Sequence, residues 1–273
     1  MPRGVPAFTE SAALTFGAAS DRVDCGSPVL FDNLATMTIL AWVYPTARAL
    51  NMQIVGKRTS GGIGWSFQLS GTTSDLAFRG SSSLNYVTSN TPFATLDQWY
   101  CLSLLRNTGG AAGARAAIYS GTQLVPLALC ALGTTVDGVP DDSAANWLLG
   151  NRDGLDAPWT GRQAVVAVFN RLLSLPELIA WQFSALDEPF PAVMAGCVGL
   201  WYPGNEGAGK VIEYSGYHND GTVTGATLSR GVALLARSLW TESRPRYLAP
   251  AAVGGLPGFW PEQLGLRPMW GIR

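Results

Sequence analysis

The chain's only histidine, His218, sits in Tyr217-His218-Asn219-Asp220-Gly221, where turn formers surround it, so it reads as a turn residue rather than an acid–base catalyst. Carboxylates are the next candidates for chemistry. Glycoside hydrolysis needs an acid and a nucleophile or base flanking one bond, and no Glu-x-Asp-x-Glu strand is present. Asp187 and Glu188 are adjacent, which on an extended backbone sends them to opposite faces, and Pro189 follows in a linker-like stretch. No glycine-rich loop ends in Lys followed by Ser or Thr, and no Gly-x-Ser-x-Gly elbow occurs. The residue pattern points away from an enzyme.

Two loops carry acids at spacings a calcium ion can use, because calcium takes several oxygen ligands from carboxylates and carbonyls. They are Asp137 with Asp141 and Asp142, and Asn151 with Asp153 and Asp156. Solvated, turn-forming acids account for both loops without a metal, so no cofactor is required. Sugar binding would instead use aromatic faces beside polar groups. Trp159, Tyr202, Tyr214 and Tyr217 are the candidates, while Trp201 lies in a strand-like run that suits the core. Four cysteines, Cys25, Cys101, Cys130 and Cys197, lack the paired spacing of a zinc site and read as buried thiols. Cys101 and Cys130 are placed to face each other if their strands are neighbours.

The elements that must position these groups are mostly strands. Across 273 residues, 47% are hydrophobic and 14% charged, with 32 Gly and 17 Pro, a composition of short strands and tight turns. A net charge of −1 argues against a nucleic-acid partner. No apolar run reaches the length of a membrane span, and the N-terminus lacks the apolar core of a secretion signal. In Thr38 to Tyr44, Leu40, Trp42 and Tyr44 alternate with Ile39, Ala41 and Val43, which predicts a strand covered on both faces. Trp65, Phe67 and Leu69 alternate with Ser66 and Gln68, which predicts one wet face. Further strands are expected at Asp75–Phe78, Leu84–Thr88, Trp99–Leu105, Arg115–Tyr119, Gln123–Leu129, Asn146–Leu149 and Ala164–Phe169. Ser174-Leu175-Pro176-Glu177 has capping-box spacing and predicts one short helix ending before Pro189. From Leu239 onward, five prolines and Trp240, Tyr247, Phe259, Trp260, Met269 and Trp270 predict an extended arm whose apolar side chains need a partner surface.

These segments, read in order, resemble the laminin-G-like branch of the concanavalin A-like jelly rolls from Ala12 to Phe183. ALTFGAASDRVDCG is similar to the opening strand pair, TMTILAWVYPT to the tryptophan strand, and QIVGKRTSGGIGWSFQLSG to the following hairpin. LDQWYCLSLLRN, ARAAIYSGTQLV and WLLGNRDGLDAPWTGRQAVVAVFNRLLSLPELIAWQF follow in family order. Gln163 to Phe169 departs from the family by being apolar throughout, as if something extra covers it. GLWYPGNEGAGKVIEYSGYHNDGTVTG also departs: in relatives it precedes the opening strands, and here it follows the helix. First and last strands of a sandwich often adjoin, so Gly199 to Arg230 is expected to pack beside Ala12 to Gly26, as in a circular permutation.

The resemblance implies an all-β, two-layer antiparallel jelly-roll sandwich with one short helix and an extended C-terminal arm. The expected division is an N-terminal arm over 1–11, a sandwich over 12–236 with 197–236 as its permuted edge, and the arm over 237–273. A recognition or assembly scaffold follows from that fold. Lacking an export signal and a disulfide framework, the chain is expected to be a virion protein made in the host cytoplasm, a phage capsid-decoration or tail-surface component. Capsid or tail subunits in multiple copies would be its partners. A glycan-binding adhesion module, extracellular or on a cell surface, is the alternative, and a glycoside hydrolase relative comes third.

Overall fold

The computed structural model describes residues 12–49, 51–70, 75–80, 85–87, 95–108, 116–133, 141–184, 193–202 and 209–231. All lie in the first of two compact units, Met1–Arg237, and the expected arm over 237–273 falls outside them. In chain order the strands are β1 (Ala12–Phe16), β2 (Arg22–Asp24), β3 (Thr36–Pro45), β4 (Gln53–Arg58), β5 (Gly64–Ser70), β6 (Asp75–Arg79), β7 (Asn85–Val87) and β8 (Tyr100–Asn107). They continue with β9 (Ala116–Thr122), β10 (Ala128–Leu132), β11 (Trp147–Leu149), β12 (Gly161–Phe169), β13 (Cys197–Tyr202), β14 (Lys210–Glu213), β15 (Gly221–Thr224) and β16 (Thr227–Arg230). One helix, α1 (Leu175–Ser184), separates β12 from β13.

The first layer runs β10-β9-β8-β3-β12-β13 and the second β14-β15-β2-β11-β4-β5-β6-β7, with neighbouring strands antiparallel among the described residues. Strand β14 joins the layers: Glu213 pairs with Trp201 of β13, while Lys210 pairs with Thr222 of β15. The segment from Gly199 to Arg230 lies against the chain's opening strands. Thr222 and Val223 pair with Asp24 and Val23, and Ala12 to Thr15 pair with Arg230 to Thr227.

Strand alternation decides what each face buries. On β3, Met37, Ile39, Ala41 and Val43 enter the core between the layers, while Leu40 and Trp42 point the other way. Both sets are fully enclosed, so β3 is a central strand, as its unbroken apolar sequence predicts. The inter-layer core contains a run of rings. Phe31 lies 4.9 Å from Trp147, Trp147 stacks on Trp201 at 5.9 Å, and Trp65 meets Trp147 edge-on at 5.2 Å. Such pairs add roughly 0.5–1.5 kcal/mol each beyond their area burial. Gly150, at φ +76°, has no alternative residue here, because a Cβ would sit 2.2 Å from the Phe16 ring.

The apolar sequence of β12 is explained by α1. Val165, Ala167 and Phe169 form a second core with Leu178 and Trp181 of the helix, together with Leu40, Trp42 and Leu200. Glu177 accepts from the Ser174 backbone N–H at 2.8 Å and from its hydroxyl at 2.9 Å, so Glu177 reaches back as the capping spacing predicts. Arg171 also donates to Glu177, and with the Ser174 bonds it draws that carboxyl down to about 2. Gln182 ties the helix to the β9–β10 connection, accepting from Leu127 N–H and donating to Thr122 and Val125 carbonyls.

Three expectations are corrected. The strand expected at Gln123–Leu129 begins only at Ala128, because Thr122 Oγ1 accepts from Leu124 and Val125 N–H and folds that stretch into a turn. Ser66 and Gln68 are fully enclosed rather than wet; the Ser66 hydroxyl donates to Gln68, whose amide donates to Asn51. Alternation reports the polarity of a face, not its access to water. Cys101 and Cys130 do not face each other, since β9 lies between their strands β8 and β10.

All four thiols are free, and Cys25, Cys101 and Cys197 are buried. Burial pushes the Cys101 thiol well above its ordinary value and Cys197 up to about 12. Aromatic disulfide reagents should therefore label one thiol per native chain, Cys130, and reach the others only after denaturation. Rapid native labelling of a Cys130→Ser variant would contradict the packing.

Candidate functional site

A short internal charge network organises one end of the sandwich. On β4, Lys57 faces inward, opposite Trp65 of β5, and is completely enclosed. Its ammonium donates to Asp32 Oδ1 at 2.5 Å, to the Asp142 carbonyl at 2.5 Å and, more loosely, to Asp142 Oδ1 at 3.5 Å. Asp142 also accepts from Asn33 N–H at 2.8 Å and from Trp65 Nε1 at 2.9 Å. Arg106, on the inward face of β8, is buried near Asp142; burial lowers its guanidinium to about 10, partly offset by that carboxylate. The calcium candidate Asp142 is thus an acceptor saturated by protein donors.

The remaining candidate ligands are engaged similarly. Asp141 accepts from the Ser143 hydroxyl and N–H, which lowers its carboxyl. Asp156 is held by both Nε and Nη2 of Arg152. Asn151 donates to Ala19 O and accepts from Arg152 and Ala157 N–H, which fixes the loop after β11. Asp153 is exposed, and Asp137 lies outside the described residues. Among the described residues no three His, Cys, Asp or Glu side chains are grouped to hold a metal ion.

Glu213 is a residue the sequence reading missed. Its buried carboxylate accepts from Leu200 and Ser215 N–H through Oε1, and from Tyr217 and His218 N–H through Oε2. Three of these donors wind the turn from Tyr214 to Asp220 around one side chain, and the fourth, Leu200, ties it to β13. His218, at φ +59°, contributes only its N–H there and is exposed. Glu206 and Glu213 share one glycine-rich run, and nothing local marks the second for that role.

Of the aromatic candidates, Trp159 is fully enclosed in the inter-layer core and has no face to offer a sugar. Tyr202 and Tyr214 are half-buried and meet edge-on at 5.8 Å, so each covers part of the other. Tyr217 is 53% exposed and projects from the Glu213 turn. Trp240, Tyr247, Phe259, Trp260, Met269 and Trp270 lie outside the described residues.

The outward face of β4, β5 and β6 carries a second polar set. Across the layer, Thr222, Asp24, Leu148, Gly56, Ser66 and Arg79 stand in register, with Gln53, Gln68 and Ala77 on a neighbouring row. Arg58 ends β4 on this face. It is 7% exposed, yet its Nε and Nη1 find no hydrogen-bond partner, and neither does Gln53 Oε1. Asn51 Oδ1 accepts from Gln68 Nε2 at 3.1 Å and, at the limit of a hydrogen bond, from Arg79 Nη1 at 3.5 Å. Gln53 and Gln68 are fully enclosed, and both ends of the Gln68 amide are committed, to Ser66 and to Asn51.

Comparison with known proteins supports the architecture. The Laminin_G_3 model, described as the concanavalin A-like lectin/glucanases superfamily, matches residues 16–179. A candidate carbohydrate binding protein from Bacteroides ovatus is similar, with TM-score 0.60 and 17% identity, over 83% of this chain and 62% of that one. The chain thus spans under two thirds of that protein. A heptameric pentraxin of the SAP-like type from Limulus polyphemus is similar with TM-score 0.53 and 13% identity, over 84% of this chain and 99% of that one. No curated protein matches the sequence. At these identities the likeness is one of fold.

The charge network carries a measurable load. Lys57→Met should destabilise the fold by about 3–5 kcal/mol, because the buried Asp32 and Asp142 lose their cation. Urea denaturation checks this; a loss under about 1 kcal/mol would show that the ion pairs contribute little.

Proposed function

We propose that this chain, which belongs to the Laminin_G_3 family of the concanavalin A-like lectin/glucanases superfamily, is a non-catalytic carbohydrate-binding module. The observation that carries this reading is the aromatic group at the closing strands, where Tyr217 is 53% exposed on the Glu213 turn and the Tyr202–Tyr214 pair beside it is half-buried. Sugar rings stack on such exposed aromatic faces. The two carboxylates buried deepest among the described residues are occupied: Asp142 by Trp65, Asn33 and Lys57, and Glu213 by four backbone N–H groups. The name of the Bacteroides protein is consistent with the same role. Tyr217 supplies an exposed ring for stacking on the Glu213 turn.

We further propose a place for the module on a phage particle, as capsid decoration or tail-surface component, with other virion subunits as partners. What supports this is the proline- and aromatic-rich sequence from Leu239 to Arg273, whose apolar side chains would gain about 25 cal/mol per Å² of area buried on a neighbour. Among the described residues no helix is long and apolar enough to cross a membrane.

Titration of the full chain against an oligosaccharide panel should give saturable binding without release of new reducing ends. Product formation would overturn the non-catalytic reading, and a panel with no binder would overturn the carbohydrate reading. For the virion role, deletion of Leu239–Arg273 should abolish incorporation into particles while leaving a folded chain. Normal incorporation of the truncated chain would remove the arm from the mechanism.

A further inference from the structure

Strand β10 ends the first layer, and among the described residues β9 is the one strand paired with it. Its other side is a row of backbone N–H and C=O groups. Proteins blunt such an edge with charged side chains, above all lysine, or with proline inside the strand. β10 has neither: from Ala116 to Gly133 the β9–β10 hairpin contains no charged residue, and its one proline, Pro126, precedes the strand. Apolar side chains stand at the edge instead, with Leu129 48% and Leu132 57% exposed.

A bulge decides how these leucines are presented. Residues three apart on a regular strand point to opposite faces. Here the register shifts between Leu129 and Ala131, so that Leu129 pairs with Tyr119 and Leu132 with Ala117. Tyr119 packs against the outward core that α1 covers, and Ala117 shares its face because Ala116 and Ile118 fill the inter-layer core. Leu129 and Leu132 therefore project from one face, while Ala131 turns inward.

We propose that β10 pairs antiparallel with β10 of a second copy of this chain, about a two-fold axis between Cys130 and Ala131. That axis sets Leu129 of each copy opposite Leu132 of the other, which gathers the leucines of both into one cluster, and sets Ala128 opposite Gly133. Side chains opposite one another in a sheet share a face, and the bulge is what lets this register meet that requirement. The copy also brings an equally uncharged edge, so the pairing desolvates no charge. A five-residue strand is far smaller than the roughly 800 Å² per partner of a stable complex, so the association is weak and depends on concentration.

Sedimentation of the full chain under reducing conditions, from about 1 μM to about 1 mM, should show the average mass rising toward the dimer. Leu129→Lys with Leu132→Lys puts like charges opposite each other and should weaken association about tenfold or more, whereas Leu129→Lys with Leu132→Glu puts opposite charges there and should restore it. The labelling of Cys130 by aromatic disulfide reagents belongs to the separated chain, and its rate should fall as the chain is concentrated. A short bismaleimide should join two chains through Cys130 and leave a Cys130→Ser chain unjoined. These two readouts use the unaltered edge and decide the matter where a lysine variant fails to fold. A monomer at every concentration overturns the proposal, as does association that the paired lysines leave unchanged. Cys130 protected even in the dilute monomer would mean that a segment of the same chain covers β10, and overturns it too.

Discussion

A fully enclosed lysine is the constraint on which the sandwich turns. Lys57 has left water completely, and removing one partner from such a buried pair costs several kcal/mol. Its partners come from separate parts of the chain: Asp32 directly after the turn Val29–Phe31, and Asp142 from the segment leading into β11. Asp142 in turn holds Trp65 Nε1, which fixes the indole that meets Trp147 edge-on. With Arg106 on the opposite layer, two cations and two carboxylates approach neutrality inside the core. The pairing geometry therefore sets how β4, β5 and β8 lie across one another, beyond what hydrophobic burial, which has no direction, can specify.

The order of the chain is closed by the last strands. Because β15 pairs with β2 and β16 with β1, the segment from Gly199 to Arg230 completes both layers where the chain also begins. Glu213 makes this closure definite. Its carboxylate gathers the turn that carries the chain from β14, shared between layers, to β15, and Asp220 returns a bond to the Glu213 N–H. Trp201 adds its Nε1 bond to the Asn219 carbonyl, so the core ring run and the turn are one assembly.

Much of this was legible because strand periodicity leaves a mark in sequence. The double alternation in β3 and the cap at Ser174-Glu177 each correspond to one local rule, and both are seen. The apolar run in β12 signalled a second covered face, but only the structure names α1 as the cover. What sequence could not carry is pairing between distant polar groups. Lys57, Asp32 and Asp142 lie 25 and 85 residues apart, and nothing local marks any of them as buried. Ser66 and Gln68 misled for the same reason: a polar residue looks solvated until its hydrogen-bond partner is known. Trp159, chosen as an exposed ring, is core because the chain after the Asn151 loop turns inward, its N–H bonding to the Gly150 carbonyl.

The two faces of β4 treat charge in opposite ways. Inward, Lys57 is compensated by carboxylates at hydrogen-bond distance; outward, Arg58 one residue later is enclosed with two nitrogens unused. An enclosed cation without a partner raises the free energy of the folded chain, since desolvation is not repaid. The outward face is therefore where the fold carries a desolvation cost that its own hydrogen bonds do not repay. The inner face spends its charge on holding the layers in register through Lys57; on the outer face two nitrogens of Arg58 are enclosed without making any such bond.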